Sequence, residues 1–444
     1  MRIFNSYTNK IEEFETIHPN KVNMYVCGPT VYNYIHIGNA RPVVFFDTVK
    51  RFLEKKGYEV KFASNFTDVD DKIIQKAMEE KEDELKISQK YIDAFLKDLS
   101  DLNCKIDYIQ PKVTEYMDYI IKFIKELIDK GYAYNVDGDV YFRVDKVKDY
   151  GKLSNQNIDD LIAGSRIDIN PKKESPLDFT LWKKTTVGIN FESPFSLGRP
   201  GWHTECVSMI DDIFNEKIDI HGGGVDLQFP HHENEIAQSQ ALHCHTLAKY
   251  WMHNGRLSFK NEKMSKSLGN VVLVKDVTEK MPLRYFLLST HYRAPLNYDD
   301  ESFAMYVKEW QKLQTAVKSL FLKLELDHKL NEEIEIVSKD ILAEVDKFNT
   351  AMEDDFNTAN AITSVQTMIK SINQSLRKNT DANYLNQQLK AIKYMMEVLG
   401  LDAKLDRLTE ADRILYDDWQ KARNSKNFQL ADELRSKLVE RGII

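Results

Sequence analysis

The hydrophobic pattern divides the sequence into a first part that alternates strand and helix signals and a second part that is helical. Val22–Cys27 is a short apolar run, a helical pattern covers about 39–56, and Val60–Ala63 is a second apolar run. Pro42 is tolerated only in the first turn of a helix, so it predicts a helix that begins near Asn39. Strand, helix and strand in this order form a β-α-β unit, which is typical of an α/β fold with a parallel sheet.

The alternating pattern continues to about residue 295. It predicts helices over roughly 70–130, a hairpin of Ala133–Val136 with Asp139–Phe142, a strand at Ile218–Ile220, a helix after Pro230 and a strand near Tyr250–His253. Residues 145–200 have little periodicity and contain four prolines. With the hairpin before them they predict an irregular insertion over about 130–200, inside an α/β domain of residues 1–295.

The pattern changes after Pro295, the last proline of the chain. Apolar residues recur three or four positions apart over 303–324 and again over 385–399, which keeps one apolar stripe on each predicted helix. Gly400 then stands where a glycine commonly ends a helix. Residues 296–444 are therefore predicted to form an all-helical C-terminal bundle.

Composition and charge narrow the class of protein. The 444 residues are 42% hydrophobic and 29% charged, which is ordinary for a globular protein, and the net charge of −8 provides no general attraction for nucleic acid. Any RNA must therefore bind to local basic patches. Four cysteines are too few to stabilise a chain of this length and indicate a reducing compartment. Without a signal-peptide pattern or an apolar run of about 18 residues, a cytoplasmic protein with no membrane partner is expected.

The first candidate for chemistry is the tetrapeptide His36-Ile37-Gly38-Asn39, between the first predicted strand and its helix. Ligands of parallel sheets gather beyond the carboxyl ends of the strands, at helix N-termini. Gly38 permits close approach of a flat ring, and His36 and Asn39 offer hydrogen-bond donors for phosphates. Taken alone, the tetrapeptide could also be an ordinary turn in which Asn39 caps the helix.

The second candidate is Lys263-Met264-Ser265-Lys266-Ser267, after a short strand pattern at Leu257–Lys260. Two lysines three positions apart could bracket a polyphosphate, because lysine acts as a mobile point charge for phosphate. A solvated basic loop is the simpler interpretation of this segment on its own.

The third candidate is a set of metal-ligand types. His231 and Glu235 are four positions apart on a predicted helix and so share one face. Cys27 ends the first predicted strand, and thiolate, imidazole and carboxylate are the ligands that zinc prefers. From the residues alone only the His231–Glu235 pair is supported, and such a pair is also common on solvent-exposed helix faces. A zinc-peptidase motif is excluded because Ile236 stands where its second histidine would be.

The order of HIGN and KMSKS, about 230 residues apart, resembles the paired signature of class I aminoacyl-tRNA synthetases. The flanking segments resemble the cysteinyl-tRNA synthetase family from about residue 1 to 442; they are CGPTVYNYIHIGNARPVVFFDT, NFTDVDDKII, SPLDFTLWK, GRPGWHTECVSMI, HGGGVDLQFPHHENEIAQS, KMSKSLGN and LRYFLLSTHYRAPLNY. Asn39 departs from the usual motif, which has a second histidine there, and keeps a donor without the ability to become cationic.

The resemblance implies a Rossmann-like catalytic domain over 1–295 and a helical tRNA-binding region over 296–444. It implies a monomeric ligase that uses ATP, accompanied by Mg²⁺, to join L-cysteine to tRNA(Cys) through cysteinyl-adenylate. It also implies one Zn²⁺ per chain, which selects the cysteine thiol over the serine hydroxyl. The implied zinc ligands are Cys27, Cys206, His231 and Glu235.

The resemblance further implies roles for individual residues. Those expected in catalysis are His36, Asn39, Lys263 and Lys266. Those expected to contact ATP are Gly38, Lys266, Gly222, Gly224 and Asp226, and those expected to contact cysteine are Trp202 and Thr67. The residues alone leave simpler roles open, since the glycines could form a tight turn and Trp202 could belong to the core.

Two other functions are compatible with parts of the sequence. The cysteine ligase of mycothiol synthesis resembles this family and joins cysteine to an amino sugar without tRNA, but the long helical tail argues against it. A non-enzymatic RNA-binding paralogue is the second alternative, and the intact lysines of KMSKS argue against it.

Overall fold

The computed structural model describes residues 1–156, 170–260, 262–263, 270–378 and 380–443, with the side chain of Lys263 outside the description. The chain forms two compact units. The sheet unit comprises Met1–Lys280, Thr290–Asp299 and Asp354–Phe356, and the helical unit comprises Met281–Ser289, Asp300–Glu353 and Asn357–Ile444.

The sheet unit combines strands and helices along its whole length. Its strands in chain order are β1 Arg2–Asn5, β2 Lys10–Glu13, β3 Lys21–Val26, β4 Glu59–Ala63, β5 Ala133–Val136, β6 Asp139–Phe142, β7 Phe179–Lys184, β8 Gly198–Pro200, β9 Ile218–Gly224, β10 Ala248–Asn254, β11 Leu257–Phe259, β12 Glu262–Lys263 and β13 Leu296–Tyr298. Its helices are α1 Ile37–Lys55, α2 Asp71–Glu80, α3 Glu84–Asp101, α4 Met117–Asp129, α5 Trp202–Phe214 and α6 Glu233–His243. β13 directly follows the boundary predicted at residue 295 and belongs to this unit.

The central sheet is parallel and has the order β10-β9-β3-β4. In its register Met24 of β3 lies between Phe62 of β4 and Ile220 of β9. Met24 and Ile220 are fully buried, which explains why these strands have short apolar sequences rather than alternating ones. The predicted α/β fold with a Rossmann-like parallel sheet is confirmed, and the carboxyl ends of all four strands meet at one edge.

Helix α1 begins earlier than Pro42 predicts. His36 is its N-cap, and a capping box forms because His36 Nδ1 accepts from Asn39 N at 3.2 Å while Asn39 Oδ1 accepts from His36 N at 3.3 Å. Ile37 N also donates to Val272 O at 3.0 Å. These contacts fix the start at Ile37, so Pro42 lies in the second turn and the predicted start near Asn39 is wrong.

The region predicted as an irregular insertion contains an antiparallel sheet of order β5-β6-β7-β8. The predicted hairpin of β5 and β6 is present, and β7 and β8 were not predicted. Phe142, Leu181 and Trp182 are fully buried within its core. β8 is three residues long and ends in Pro200 at the edge of the sheet, where a missing N–H is tolerated, so its sequence carries no strand pattern.

The helical unit contains α7 Lys280–Leu288, α8 Asp300–Leu326, α9 Lys339–Glu353, α10 Thr358–Arg377, α11 Ala382–Leu399, α12 Glu410–Asn424 and α13 Phe428–Glu440, with Lys280 itself in the sheet unit. The predicted helical C-terminal bundle is confirmed, but Leu296–Tyr298 at the start of its predicted range form the strand β13 instead. Gly400 has a φ of 64° at the end of α11, as a C-cap glycine requires. In the described part of the chain, none of the helices combines the length and apolar character that a membrane span needs.

Candidate active site and metal centre

A cavity of about 600 Å³ opens where the carboxyl ends of the central strands meet. Seven of the residues predicted to act in the site line it: Cys27, His36, Gly38, Asn39, Trp202, Gly224 and Asp226. Gly222, Thr67, Cys206, His231 and Glu235 are not part of its lining. Lys266 lies outside the described residues, and of Lys263 only the backbone in β12 is described.

The four implied metal ligands come together behind the cavity. Their ligand atoms all lie within 4.8 Å of one another, and Cys206, His231 and Glu235 are buried. Cys27 Sγ is 3.5 Å from Cys206 Sγ, 3.5 Å from His231 Nε2 and 3.5 Å from Glu235 Oε1. Because Cys27 also lines the cavity, the cluster has one side toward the space where a substrate would lie.

The spacing and chemistry of this cluster suit a tetrahedral metal. Ligand atoms of a tetrahedral zinc site lie about 3.3–3.8 Å apart, since zinc–nitrogen and zinc–sulfur distances are about 2.0 and 2.3 Å. The three distances from Cys27 Sγ fall in this range, and the distance of 2.9 Å between His231 Nε2 and Glu235 Oε1 is slightly shorter. Two thiols, an imidazole and a carboxylate therefore fit a zinc ion with little movement.

Local structure positions the helical pair of ligands. His231 lies in a π-helical turn, Gln228–His232, that leads directly into α6, where Glu235 occupies the first turn. The spacing of four residues thus brings the two side chains together, although His231 precedes the helix predicted to hold it. His203 Nδ1 is 3.0 Å from His231 Nδ1, and Trp202 stacks on the His231 ring with centroids 4.3 Å apart.

Two further histidines, His221 and His232, contact members of the cluster and were not predicted to act there. His221 Nε2 is 2.7 Å from Glu235 Oε2, and His232 Nε2 is 3.3 Å from Cys27 Sγ. Cys27, His221, His232 and Glu235 form a second set of ligand atoms within 4.8 Å of one another. The sequence feature that could have indicated a role for His221 is its position directly before Gly222 in the HGGG segment.

Electrostatics favour the ionised forms of Cys206 and Glu235 in this buried cluster. The hydrogen bond from Cys27 lowers the pKa of the Cys206 thiol to about 6, while burial raises the pKa of Cys27 well above its usual value. Burial opposes ionisation of Glu235, but the charges of His221 and His231 outweigh it and hold its pKa well below the usual range. Burial likewise opposes protonation of His231, yet the Glu235 charge raises its pKa to about 10. A thiolate and a carboxylate side by side are suited to a cation.

Residues that follow the KMSKS segment pair with the HIGN segment through backbone hydrogen bonds. Ile37 N donates to Val272 O at 3.0 Å, and Val274 N donates to Ile35 O at 3.0 Å. The chain that follows the KMSKS segment is therefore attached to the loop that carries His36, at the N-terminus of α1. Backbone N–H groups at such a terminus attract phosphate.

Gly222 and Gly224 differ in their surroundings although both were predicted to contact ATP. Gly222 is buried in the middle of the sheet, where an added Cβ would collide with the ring of Phe46. Gly224 lines the cavity, and an added Cβ there would meet the carboxylate of Asp226. The space at Gly222 is thus needed for packing, while Gly224 and Asp226 face the cavity.

Thr67 supports the site from behind. Its hydroxyl donates to Glu205 Oε2 at 2.9 Å, and its backbone pairs with the loop that lines the cavity, donating to Pro29 O at 3.2 Å and accepting from Val31 N at 3.1 Å. Thr67 is buried. Its observed contacts therefore hold the loop after β3 in place.

Arg41 of α1 is a residue that sequence reasoning missed. Its buried guanidinium donates to Gly255 O at 2.7 Å, Arg256 O at 3.3 Å and His291 O at 3.2 Å. Desolvation lowers its pKa to about 10. Because Gly255 and Arg256 line the cavity, Arg41 fixes one wall of the site; its place five residues after His36 was the available signal.

Comparison with known proteins places the chain among tRNA synthetases. Residues 13–308 match the family "tRNA synthetases class I (C) catalytic domain", and residues 347–404 match the "DALR domain". The chain is 48% identical over 450 residues to "Cysteine--tRNA ligase" of Geobacillus sp. (strain WCH70), covering 100% of this chain and 97% of the relative. It is 47% identical over 454 residues to the protein of the same name from Bacillus cereus (strain B4264), with coverage of 100% and 97%.

The fold also matches solved structures of this class. Methionyl-tRNA synthetase of Mycobacterium tuberculosis, bound by methionyl-adenylate, superimposes with a TM-score of 0.62 at 14% identity, over 93% of this chain and 96% of that one. At this identity the likeness concerns the fold alone.

Proposed function

The chain belongs to the cysteine-tRNA ligase family of class I tRNA synthetases, and we propose that it joins L-cysteine to tRNA(Cys) at the expense of ATP. The cysteine carboxylate attacks the α-phosphate of ATP, which releases pyrophosphate and leaves cysteinyl-adenylate. A hydroxyl of the 3′-terminal ribose of tRNA then takes the cysteinyl group, and AMP leaves.

The cavity supplies groups for the first of these steps. His36 and Asn39 stand at the N-terminus of α1 and line the cavity, so they can donate hydrogen bonds to the phosphates. We also propose that Lys263 and Lys266 contribute mobile positive charges to the phosphates and that Mg²⁺ accompanies ATP. Positioned donors of this kind stabilise charge that develops on the transferring phosphoryl group. Gly38, Gly224 and Asp226 are proposed to contact the adenosine.

The ligand cluster is proposed to hold one zinc ion, and Trp202 to flank the cysteine. Zinc supplies a strong affinity for thiolate and little for a serine hydroxyl, which allows cysteine to be selected without an editing site. Cys206, His231 and Glu235 would hold the ion from the buried side, while Cys27 borders the cavity. His221 keeps Glu235 oriented through the contact of 2.7 Å to its second oxygen. The observation that carries this proposal is the convergence of four ligand atoms within 4.8 Å directly behind the cavity, with Cys27 in its wall.

The alternative of a cysteine:amino-sugar ligase is not favoured, because the curated relatives that match the whole chain are named cysteine-tRNA ligases. We further propose that the protein is a monomer and that it acts in the cytoplasm, where tRNA is charged.

Pyrophosphate exchange with cysteine and with serine tests the proposal, together with metal analysis. The wild type should contain about one zinc per chain and exchange with cysteine only. Cys206→Ser should lose both zinc and exchange, whereas Cys244→Ser, at an exposed cysteine, should keep both. A zinc-free wild type that still prefers cysteine would contradict the role of the cluster, and absence of cysteine-dependent exchange would contradict the function itself.

A further inference from the structure

Two lysine–tyrosine pairs stand beside the cavity on the side where the loop after β3 is exposed. Lys72 Nζ lies 5.5 Å from the ring centroid of Tyr32, and Lys275 Nζ lies 3.9 Å from that of Tyr34. Both lysines are exposed and both rings are partly exposed. Tyr32, Tyr34 and Lys72 line the same cavity as the residues of the candidate active site.

The backbone under these pairs is held firmly. Val274 N donates to Ile35 O at 3.0 Å, which fixes Lys275 beside the loop that carries Tyr34. The Tyr34 ring also packs edge-on against Tyr91 of α3, with centroids 5.3 Å apart. At the other pair, the carboxylate of Asp70 accepts from Lys72 N at 2.8 Å and fixes the first turn of α2.

Carboxylates stand near both pairs, with Asp70 and Asp71 at the start of α2 and Asp98 near Lys275. Neither lysine ammonium forms an ion pair with a carboxylate in the part of the chain that the structure describes. The neighbouring carboxylate of Asp71 is neutralised by Lys183, 2.9 Å away, and by Arg199. Two cations without carboxylate partners beside two aromatic rings form a combination that suits single-stranded nucleic acid, whose phosphates need cations and whose unpaired bases stack.

We propose that these two pairs bind the single-stranded 3′ end of tRNA as it enters the cavity. Lys72 and Lys275 contact its phosphates, and Tyr32 and Tyr34 stack on its bases. This inference rests on the proposed function, because only a tRNA-charging enzyme brings a 3′ end to this cavity. Each lysine can leave its ring for a phosphate and free the ring face for a base, since an exposed cation–π contact is weaker than base stacking.

The first test separates the two steps of the reaction. In the double variant Lys72→Gln/Lys275→Gln, transfer from preformed cysteinyl-adenylate to tRNA at subsaturating tRNA should fall by about tenfold or more. Pyrophosphate exchange in the absence of tRNA should change by less than about twofold. Lys86→Gln, at an exposed lysine paired with Glu82, should leave both rates unchanged. An equal loss in both steps, or an unchanged transfer rate, would overturn the inference.

The second test needs no catalysis. Wild-type protein should bind intact tRNA(Cys) about tenfold or more tightly than tRNA(Cys) lacking its four 3′-terminal nucleotides. The variant Tyr32→Leu/Tyr34→Leu, checked for normal thermal unfolding, should bind both RNAs with nearly equal affinity. If this variant still distinguishes the two RNAs as the wild type does, the tyrosines do not bind the 3′ end. Absence of exchange with cysteine in the wild type would instead count against the proposed function.

Discussion

Gly222→Ala should disturb both the sheet and the metal centre, although the residue does not line the cavity. Gly222 lies in β9 between β3 and β10, paired with Val26 and Met252. An added Cβ would lie 2.6 and 2.8 Å from the two Cε atoms of Phe46 and closer still to its Cζ. The Phe46 ring is fully buried, packs against Phe45 with centroids 5.1 Å apart and also lines the cavity, so any shift that admits the methyl group disturbs the Phe45 contact or the cavity wall.

The expected cost follows from overpacking. Inserting a methyl group into a filled core costs about 1–3 kcal/mol. With a urea dependence of about 3 kcal/mol per molar, the unfolding midpoint should fall by about 0.3–1 M. Zinc affinity should fall as well, because Gly222 O accepts from Cys27 N at 3.2 Å and a displaced strand would move this ligand.

A double-variant cycle gives the decisive assay. Unfolding in urea is followed by tryptophan fluorescence for Gly222→Ala, Phe46→Leu and the double variant. Because the smaller leucine makes room for the new methyl group, the double variant should be more stable than the sum of the single changes predicts, by about 0.5–3 kcal/mol. Strictly additive effects, or a Gly222→Ala protein with normal stability and zinc content, would refute the packing explanation.

Three other substitutions probe the cavity wall and α3. Gly224→Ala should change stability by less than about 0.5 kcal/mol, because the new Cβ meets only the mobile carboxylate of Asp226. Displacing this carboxylate should raise KM for ATP in pyrophosphate exchange. An unchanged KM would contradict the role of Asp226. Arg41→Met should raise KM for ATP and lower thermal stability, since Gly255 O loses its donor. Arg41→Lys should restore part of both properties, because lysine can donate to the same oxygen. Absence of any rescue would contradict this expectation and show that the shape of the guanidinium is required. Burial raises the pKa of Asp98 to about 6, above its unfolded value of about 3.9, so its ionisation costs stability as pH rises through this range. Asp98→Asn should therefore stabilise the protein at pH 8 by up to about 3 kcal/mol and hardly at all below pH 4, and equal effects at both pH values would contradict this cause.

The sequence was informative where a local rule decides the structure. Three short apolar runs and a helical period were enough to predict the parallel sheet, because strands buried on both faces carry apolar runs. A spacing of four residues was enough to expect His231 and Glu235 on one side of the chain. The structure brings their ligand atoms to 2.9 Å.

Other features depend on contacts between distant residues and left little local signal. Cys27 and Cys206 are 179 positions apart, and only the sheet and α5 bring their sulfur atoms to 3.5 Å. Pro42 misled because a capping box at His36 and Asn39 outweighs the proline in fixing the start of α1. The crowding of Gly222 by Phe46 likewise exists only in the packed core.

Charging of unfractionated tRNA with labelled cysteine, followed by identification of the charged species, is the most direct test of the proposed function. We expect the purified protein, ATP and cysteine to yield label on tRNA(Cys) alone, with release of AMP, and serine to give no stable product. Label on no tRNA, or equal label with serine in place of cysteine, would contradict the proposed function.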